Sequence, residues 1–82
     1  MNVGIIGTGA VARKHARAYL NIGYRVVVCS NSREEPGRRF AAEFGAEFVR
    51  GYEDVCRHRA VDFVDVCTFP EFRLAAVELG AR

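Results

Sequence analysis

Residues 3–12 read Val-Gly-Ile-Ile-Gly-Thr-Gly-Ala-Val-Ala, and this stretch decides the fold. The apolar run from Val3 to Ile6 is typical of a strand buried on both faces, and it ends at Gly7. Beyond the glycines, apolar side chains recur with the spacing of one helix face at Ala12, Ala16, Tyr19 and Leu20. The stretch therefore predicts a strand, a tight turn and a helix that begins at about Ala10.

The turn between that strand and that helix has the pattern G-x-G-x-x-A over residues 7–12. In such a turn, Gly7 permits the tight bend, Gly9 leaves the backbone open to a pyrophosphate, and Ala12 lets the helix pack close to the strand. The anion would lie against free N–H groups at the positive end of the helix dipole. We therefore predict that Gly7, Thr8, Gly9, Ala10 and Val11 bind a dinucleotide. The alternative is a tight strand-to-helix turn without a ligand.

The rest of the chain alternates between strand-like and helix-like segments. Strands are predicted at 25–29, 47–49 and 61–68, and helices at about 36–44, 52–57 and 74–79. Pro36 suits the first turn of its helix, where no N–H is needed. Ser32 and Glu35 match the spacing of a capping box, which would instead place Pro36 at the fourth helical position. The first residue of this helix therefore stays open. The order βαβαβαβα predicts an α/β fold, a Rossmann-like doubly wound parallel sheet with right-handed crossovers.

Length and composition predict one small domain. The chain has 82 residues, of which 50% are apolar and 27% are charged. The net charge is +2 and the basic residues are scattered along the chain, so we expect no nucleic-acid partner. No apolar run approaches the roughly 18 residues of a membrane-spanning helix, and the N-terminus lacks the basic and apolar regions of a secretory signal. We expect a cytoplasmic protein without a membrane partner.

Cysteine and histidine positions give no strong sign of a further site. Cys29, Cys56 and Cys67 are odd in number and show no C-x-x-C spacing, which is typical of reduced thiols. We expect no metal site, because no fourth ligand stands at short spacing. His15 is expected to make packing or helix-surface contacts. Asp65 interrupts an apolar strand, so we expect a structural carboxylate at a sheet edge or a strand end.

The end of the second predicted strand bears on which dinucleotide fits. NAD-binding folds usually carry Asp or Glu there, which bonds the ribose 2′-OH. Here the first carboxylate is Glu34, and the preceding Asn31, Ser32 and Arg33 offer amide, hydroxyl and guanidinium donors. Such donors suit a 2′-phosphate, so the sequence favours NADP over NAD. In the alternative, Arg33 is a solvated loop residue and Asn31 alone bonds the ribose.

Five segments fit the template of one family in order. They are residues 3–10, Arg13-Lys14-His15-Ala16, residues 40–46, residues 52–55 and residues 61–68. Together they resemble the Gfo/Idh/MocA oxidoreductases, the group of glucose–fructose oxidoreductase and inositol dehydrogenase. The resemblance spans essentially the whole chain. It implies that residues 1–82 are the N-terminal part of an NAD(P)-binding domain whose last strands and substrate domain are not on this chain, and that the full-length family includes homo-oligomers.

The resemblance also implies an activity, which is hydride transfer between the nicotinamide and a sugar, cyclitol or similar alcohol. Cys67, Thr68 and Phe69 are expected along the nicotinamide half, although Thr-Phe-Pro stands here where the family usually has Thr-Pro, and Arg73 stands where it has His. The family's catalytic lysine motif does not occur within the 82 residues, so no catalytic residue is assigned. The alternatives are a non-catalytic nucleotide-binding regulatory module and an inactive gene remnant.

Overall fold

The computed structural model describes residues 1–67, in which strands and helices alternate along the chain. The elements are β1 (Asn2–Ile6), α1 (Ala10–Asn21), β2 (Arg25–Ser30), α2 (Glu34–Phe44), β3 (Glu47–Val49), α3 (Tyr52–Cys56) and β4 (Phe63–Val66). The four strands form one parallel sheet in the order β3-β2-β1-β4. The chain thus winds outward from β1 through β2 to β3 and returns to pair β4 on the other side of β1. This topology confirms the predicted α/β Rossmann-like fold.

Two apolar layers cover the sheet, one on each face. On the first face, side chains of β1 and β2 pack with the buried Ala12 and Ala16 of α1 and with Phe40 of α2. On the second face, β1, β2 and β4 pack against Val55 of α3. A Cβ atom at Gly4 would lie 2.6 Å from Cγ1 of Val55. Only glycine therefore allows α3 to approach β1 so closely.

Helix α2 begins at Glu34, two residues before the predicted start at Pro36. Its N-cap is Arg33, so Ser32 and Glu35 do not form the considered capping box. The first helical hydrogen bond runs from the N–H of Gly37 to the carbonyl of Arg33, at 3.3 Å. Pro36 thus occupies the third helical position. Its absent N–H costs nothing there, because the first N–H groups of a helix have no intrahelical acceptor.

Strand β4 is shorter than the predicted 61–68, since it spans Phe63–Val66. The predicted Phe69-Pro70 turn and the predicted helix at 74–79 lie outside the described residues. Among residues 1–67, no helix is long and apolar enough to cross a membrane. No disulfide joins the three cysteines. Cys29 is fully buried, and burial raises the pKa of its thiol to about 11.

Candidate functional site

A cavity of about 600 Å³ opens at the carboxyl edge of the sheet. Each strand contributes the segment that follows it to the wall. The lining residues are Gly7, Thr8 and Gly9 after β1, Asn31 and Ser32 after β2, Arg50, Gly51 and Tyr52 after β3, and Cys67 after β4. In open α/β sheets, ligands bind outside the carboxyl ends of the strands, where the strand order reverses. The cavity lies at this edge of the sheet and includes the point between β1 and β4 where the strand order reverses.

The glycine turn has the geometry that its sequence predicts. Gly7 has a φ of 91°, in the left-handed region that glycine adopts without strain, and its N–H donates to the carbonyl of Ser30 at 2.9 Å. A Cβ atom at Gly9 would meet nothing within 4 Å. Among residues 1–67, no contact therefore requires glycine at this position. The space above Gly9 is instead open to an incoming ligand, and the fully buried Ala12 holds the helix against the sheet.

The first turn of α1 offers backbone donors to that space. The first helical hydrogen bond joins the N–H of Arg13 to the carbonyl of Gly9, at 3.1 Å. The preceding N–H groups, those of Ala10, Val11 and Ala12, have no acceptor within the helix. Gly9 is the N-cap without a side-chain hydrogen bond, and the first turn holds no acidic residue. The positive end of the helix dipole is therefore available to an anion.

Basic side chains flank this first turn. A groove of about 470 Å³ beside it is lined in part by Arg13, Lys14, Arg17 and Arg39. Some of this charge is neutralised, because the guanidinium groups of Arg13 and Arg17 lie 3.1 Å and 3.5 Å from the carboxylate of Glu43. The groove adds positive potential to the helix terminus, which favours anionic ligands.

Thr8 lines the cavity and has a buried hydroxyl. The side-chain oxygen of this buried residue has no hydrogen-bond partner among the described residues. A buried hydroxyl without a partner is costly, and such groups are rare in folded proteins. Together with the open space over Gly9 and the unpaired first-turn donors, this hydroxyl fits a phosphate-bearing ligand. The residues present therefore suit a dinucleotide.

Asn31 connects the glycine turn to the start of α2. Its Oδ1 accepts from the N–H of Thr8 at 3.3 Å, and its Nδ2 donates to the carbonyl of Arg33 at 3.0 Å. Asn31 and Ser32 line the cavity, whereas Arg33 is exposed and does not line it. The structure thus brings two of the three predicted 2′-phosphate donors to the cavity. Their contact with a ligand stays a prediction.

The wall formed by Arg50, Gly51 and Tyr52 was not predicted from the sequence. The guanidinium of Arg50 lies 3.2 Å from a carboxylate oxygen of Glu34. A hydrogen bond from Arg38, reinforced by the charges of Arg38 and Arg50, lowers the pKa of the Glu34 carboxyl. A signal for this wall was present, because these residues follow the predicted strand 47–49 and therefore lie at the carboxyl edge.

Cys67 lies just beyond β4, although the predicted strand included it, and it lines the cavity. Its contact with a cofactor stays a prediction, and Thr68 and Phe69 lie outside the described residues. Asp65 lies on β4, the outermost strand on that side of the described sheet. Its Oδ2 accepts from the hydroxyl of Tyr19 at 2.6 Å and lies 2.7 Å from Nδ1 of His15. Burial and this hydrogen bond raise the pKa of Tyr19, so its hydroxyl remains a donor. The predicted structural role of Asp65 agrees with these contacts.

The parallel sheet, the glycine turn and the anion-accepting helix terminus define a nucleotide-binding domain of the Rossmann type. The chain belongs to the Gfo/Idh/MocA family, because residues 1–80 match the family model described as "Oxidoreductase family, NAD-binding Rossmann fold". This match confirms the family resemblance and the predicted cofactor class, a nicotinamide dinucleotide. A comparison with curated proteins gave no match.

Solved structures resemble this chain over nearly its full length. A myo-inositol dehydrogenase from Lactobacillus casei, in complex with NAD(H) and myo-inositol, is 26% identical with a TM-score of 0.88, and the alignment covers 98% of this chain and 25% of that one. A 3-ketoreductase from Actinomadura kijaniata, in complex with NADP and TDP-benzene, is 29% identical with a TM-score of 0.77, covering 98% and 26%.

A biliverdin reductase from Synechocystis, in complex with biliverdin and NADP+, has a TM-score of 0.88 at 24% identity, covering 96% of this chain and 25% of that one. At that identity the similarity shows the fold alone. The chain thus spans about a quarter of the length of these solved proteins.

Proposed function

We propose that this chain supplies the dinucleotide-binding part of an oxidoreductase that transfers hydride between NADP(H) and a sugar, cyclitol or similar alcohol. The observation that carries the proposal is the start of α1. There Gly9, over which the described residues leave open space, lines the cavity beside first-turn N–H groups that have no acceptor within the helix. Thr8 lines the same cavity and has a buried hydroxyl without a partner among the described residues. Family membership supports the reaction class.

In this proposal the pyrophosphate lies against the backbone of Gly9, Ala10 and Val11, where it meets the positive end of the helix dipole. Thr8 donates its hydroxyl to a ligand oxygen. Asn31 holds the turn in place through its bond from the N–H of Thr8. When bound, the nicotinamide accepts or donates the hydride. Cys67, Thr68 and Phe69 are proposed to lie along that half of the cofactor.

The proposed preference for NADP rests on the groups at the carboxyl ends of β2 and β3. A carboxylate at the end of β2 would repel a 2′-phosphate, and none stands there before Glu34. Ser32 and Arg50 line the cavity instead, and Arg33 lies at the start of α2. Guanidinium and hydroxyl groups are suitable donors to a phosphate.

Residues 1–82 are proposed to be the N-terminal part of a larger dinucleotide-binding domain, which in the whole protein is completed by further strands and a substrate domain. The coverage of about a quarter of the solved relatives supports this division. We also propose that the whole protein is a homo-oligomer and is cytoplasmic. Reduced cysteines, with no disulfide among residues 1–67, suit a reducing compartment.

Fluorescence titration of the purified chain with NADPH and with NADH tests the proposal. We expect both to bind, NADPH more tightly, and Arg50→Gln to weaken NADPH more than NADH. Arg59→Gln is the matched control, because Arg59 is exposed in the loop between α3 and β4 and does not line the cavity. Failure of both nucleotides to bind below millimolar concentration would refute the cofactor assignment, and tenfold tighter binding of NADH would refute the NADP preference.

A further inference from the structure

A second cluster of chemically active side chains lies where α1 meets β4. Nδ1 of His15 is 2.7 Å from Oδ2 of Asp65, and Sγ of Cys67 is 3.6 Å from Nδ1 of His15 and 3.6 Å from Oδ1 of Asp65. One potential ligand atom from each residue lies within 4.8 Å of the others. The three residues thus present nitrogen, oxygen and sulfur around one point.

The fold assembles this cluster from distant parts of the sequence. Asp65 and Cys67 are two residues apart on one extended segment, so their side chains point to the same face of the sheet. The N–H of Cys67 donates to the carbonyl of Ile6 at 2.8 Å, which continues the pairing of β4 with β1. Helix α1 covers that face and brings His15 over it. Short sequence spacing, the usual sign of a metal site, is therefore missing here.

We propose that His15, Asp65 and Cys67 bind a zinc ion. A tetrahedral zinc ion with bonds of about 2.0–2.3 Å holds its sulfur ligand about 3.6 Å from each nitrogen or oxygen ligand. The two sulfur distances already have that value, and a small rotation of the imidazole opens the shorter distance to Asp65. The donor set also selects the ion, because Mg²⁺ and Ca²⁺ prefer all-oxygen sites, whereas thiolate and imidazole suit zinc.

The surroundings support a site with an exchangeable position. The hydroxyl of Tyr19 donates to Oδ2 of Asp65 and so fixes the orientation of the carboxylate. Carboxylates that bind metals are usually held by such a hydrogen bond from a neighbouring residue. The His15 side chain is 45% exposed, which gives an ion a path from solvent. Three protein ligands leave the fourth position to water or to an external ligand. Since Cys67 also lines the large cavity, that ion would lie beside the proposed nucleotide site.

Zinc titration of the chelator-treated chain by calorimetry, without any dinucleotide, tests this site. We expect binding of a single ion at micromolar concentration or below, and a thiolate-to-metal charge-transfer band when Co²⁺ replaces Zn²⁺. His15→Ala, Asp65→Asn and Cys67→Ser should each weaken binding at least about tenfold. His58→Ala is the matched control, because His58 also pairs with a carboxylate, Oε1 of Glu47 at 3.3 Å.

A second measurement does not depend on the folding of the variants. Zinc should slow alkylation of Cys67 in the unaltered chain and leave Cys56, which packs on the opposite face of the sheet, unaffected. Zinc binding weaker than millimolar would overturn the proposal, as would an equal loss of zinc affinity in the His15 and His58 variants. The three side chains would then form only a hydrogen-bonded cluster. The zinc site does not rest on the proposed function. Gly9→Asp separates the two, because it should strongly weaken NADPH binding and leave zinc binding unchanged.

Discussion

Helices α1 and α2 both begin at the carboxyl edge of the sheet, and they differ in what complements their first turns. The first turn of α2 carries Glu34 and Glu35, whereas that of α1 carries no acidic residue. Carboxylates near a helix N-terminus interact favourably with the dipole. In helix α2, the positive end of the dipole thus interacts with carboxylates of the helix itself. Helix α1 leaves that end to an anion from outside the chain, and the cavity lies in front of it.

The glycines at the N-terminal ends of the two helices, Gly9 and Gly37, show the same contrast. A Cβ atom at Gly9 would enter open space, whereas one at Gly37 would lie 2.3 Å from a ring carbon of Phe48. Glycine at position 37 leaves space that the ring of Phe48 occupies. Glycine at position 9 leaves space that no described residue occupies. Gly37 therefore allows close packing, whereas we propose that Gly9 leaves room for a ligand. Substitutions can separate these two roles.

Gly9→Asp is expected to have the largest effect. An aspartate at the N-cap accepts a hydrogen bond from a first-turn N–H, so it should stabilise the chain slightly, by about a few tenths of a kcal/mol relative to glycine. The same carboxylate would fill the open space and repel a pyrophosphate, so NADPH affinity should fall by a factor on the order of a hundred or more. Thermal melting and fluorescence titration measure the two effects on one protein.

The control for this prediction is Gly9→Ala, whose methyl group adds bulk without charge. It should leave the melting temperature nearly unchanged, because φ at Gly9 is −80° and the Cβ position is open. It should weaken NADPH less than the aspartate does. Unchanged affinity in the aspartate variant would show that α1 does not receive the anion, and the contrast between the two helices would lose its functional meaning.

Gly37→Val should act on stability instead. The valine side chain would overlap the ring of Phe48, and overpacking of this kind typically costs about 1–3 kcal/mol. We expect a lower midpoint of urea unfolding. NADPH affinity, measured well below that midpoint, should fall far less than in the Gly9→Asp variant, because Gly37 does not line the cavity and its Cβ would touch the site only at Cβ of Asn31, 3.0 Å away. A large loss of affinity in a folded Gly37→Val chain would contradict the division of roles.

The sequence predicted the start of α1 well and the start of α2 poorly, for a physical reason. At α1 the glycine pattern, the end of a buried strand and the small Ala12 all require the same turn. At α2, proline is compatible with several positions in the first turn, because each of the first N–H groups lacks an acceptor. Local chemistry therefore could not choose between a start at Glu34 and a start at Pro36.

The parts of the site that were missed depend on contacts between distant residues. Arg50 faces the cavity because β3 pairs with β2 in a register that only the folded sheet fixes. His15, Asp65 and Cys67 meet because α1 crosses the face of β4, about fifty residues away in sequence. Sequence spacing can reveal ligands that are close in the chain, but it cannot reveal contacts between residues that only the fold brings together.

Asn31→Ala tests the link between the two helix starts. The substitution removes an acceptor from the N–H of Thr8 and a donor from the carbonyl of Arg33. Each lost hydrogen bond is worth about 1 kcal/mol, so we expect modest destabilisation and an NADPH affinity several-fold lower. Urea unfolding and titration measure these changes. Ser32→Ala is the control for the urea midpoint, since Ser32 lines the cavity without this bridge, and equal destabilisation by both variants would argue against the bridging role.

Glu34→Gln should have the smallest effect. Arg38 and Arg50 lower the pKa of this carboxylate, so the stabilisation from its charge is present above the ordinary pKa of a glutamate and is lost as pH falls through the lowered folded value. Because the pairs are exposed, the melting temperature should drop by only about one or two degrees near neutral pH. Release of Arg50 toward the cavity should strengthen NADPH binding about twofold.

Melting curves of Glu34→Gln and the unaltered chain at about pH 7 and about pH 3 check the sign of this effect. The difference between the two proteins should be smaller at the lower pH, because it disappears as pH falls through the lowered pKa of Glu34 and the protonated carboxyl resembles glutamine. Glu35→Gln is the control, because Glu35 pairs with Arg39 and makes no contact with Arg50. If Glu35→Gln strengthened NADPH binding as much as Glu34→Gln does, the gain in affinity would come from removing a negative charge near α2. The release of Arg50 would then not explain it.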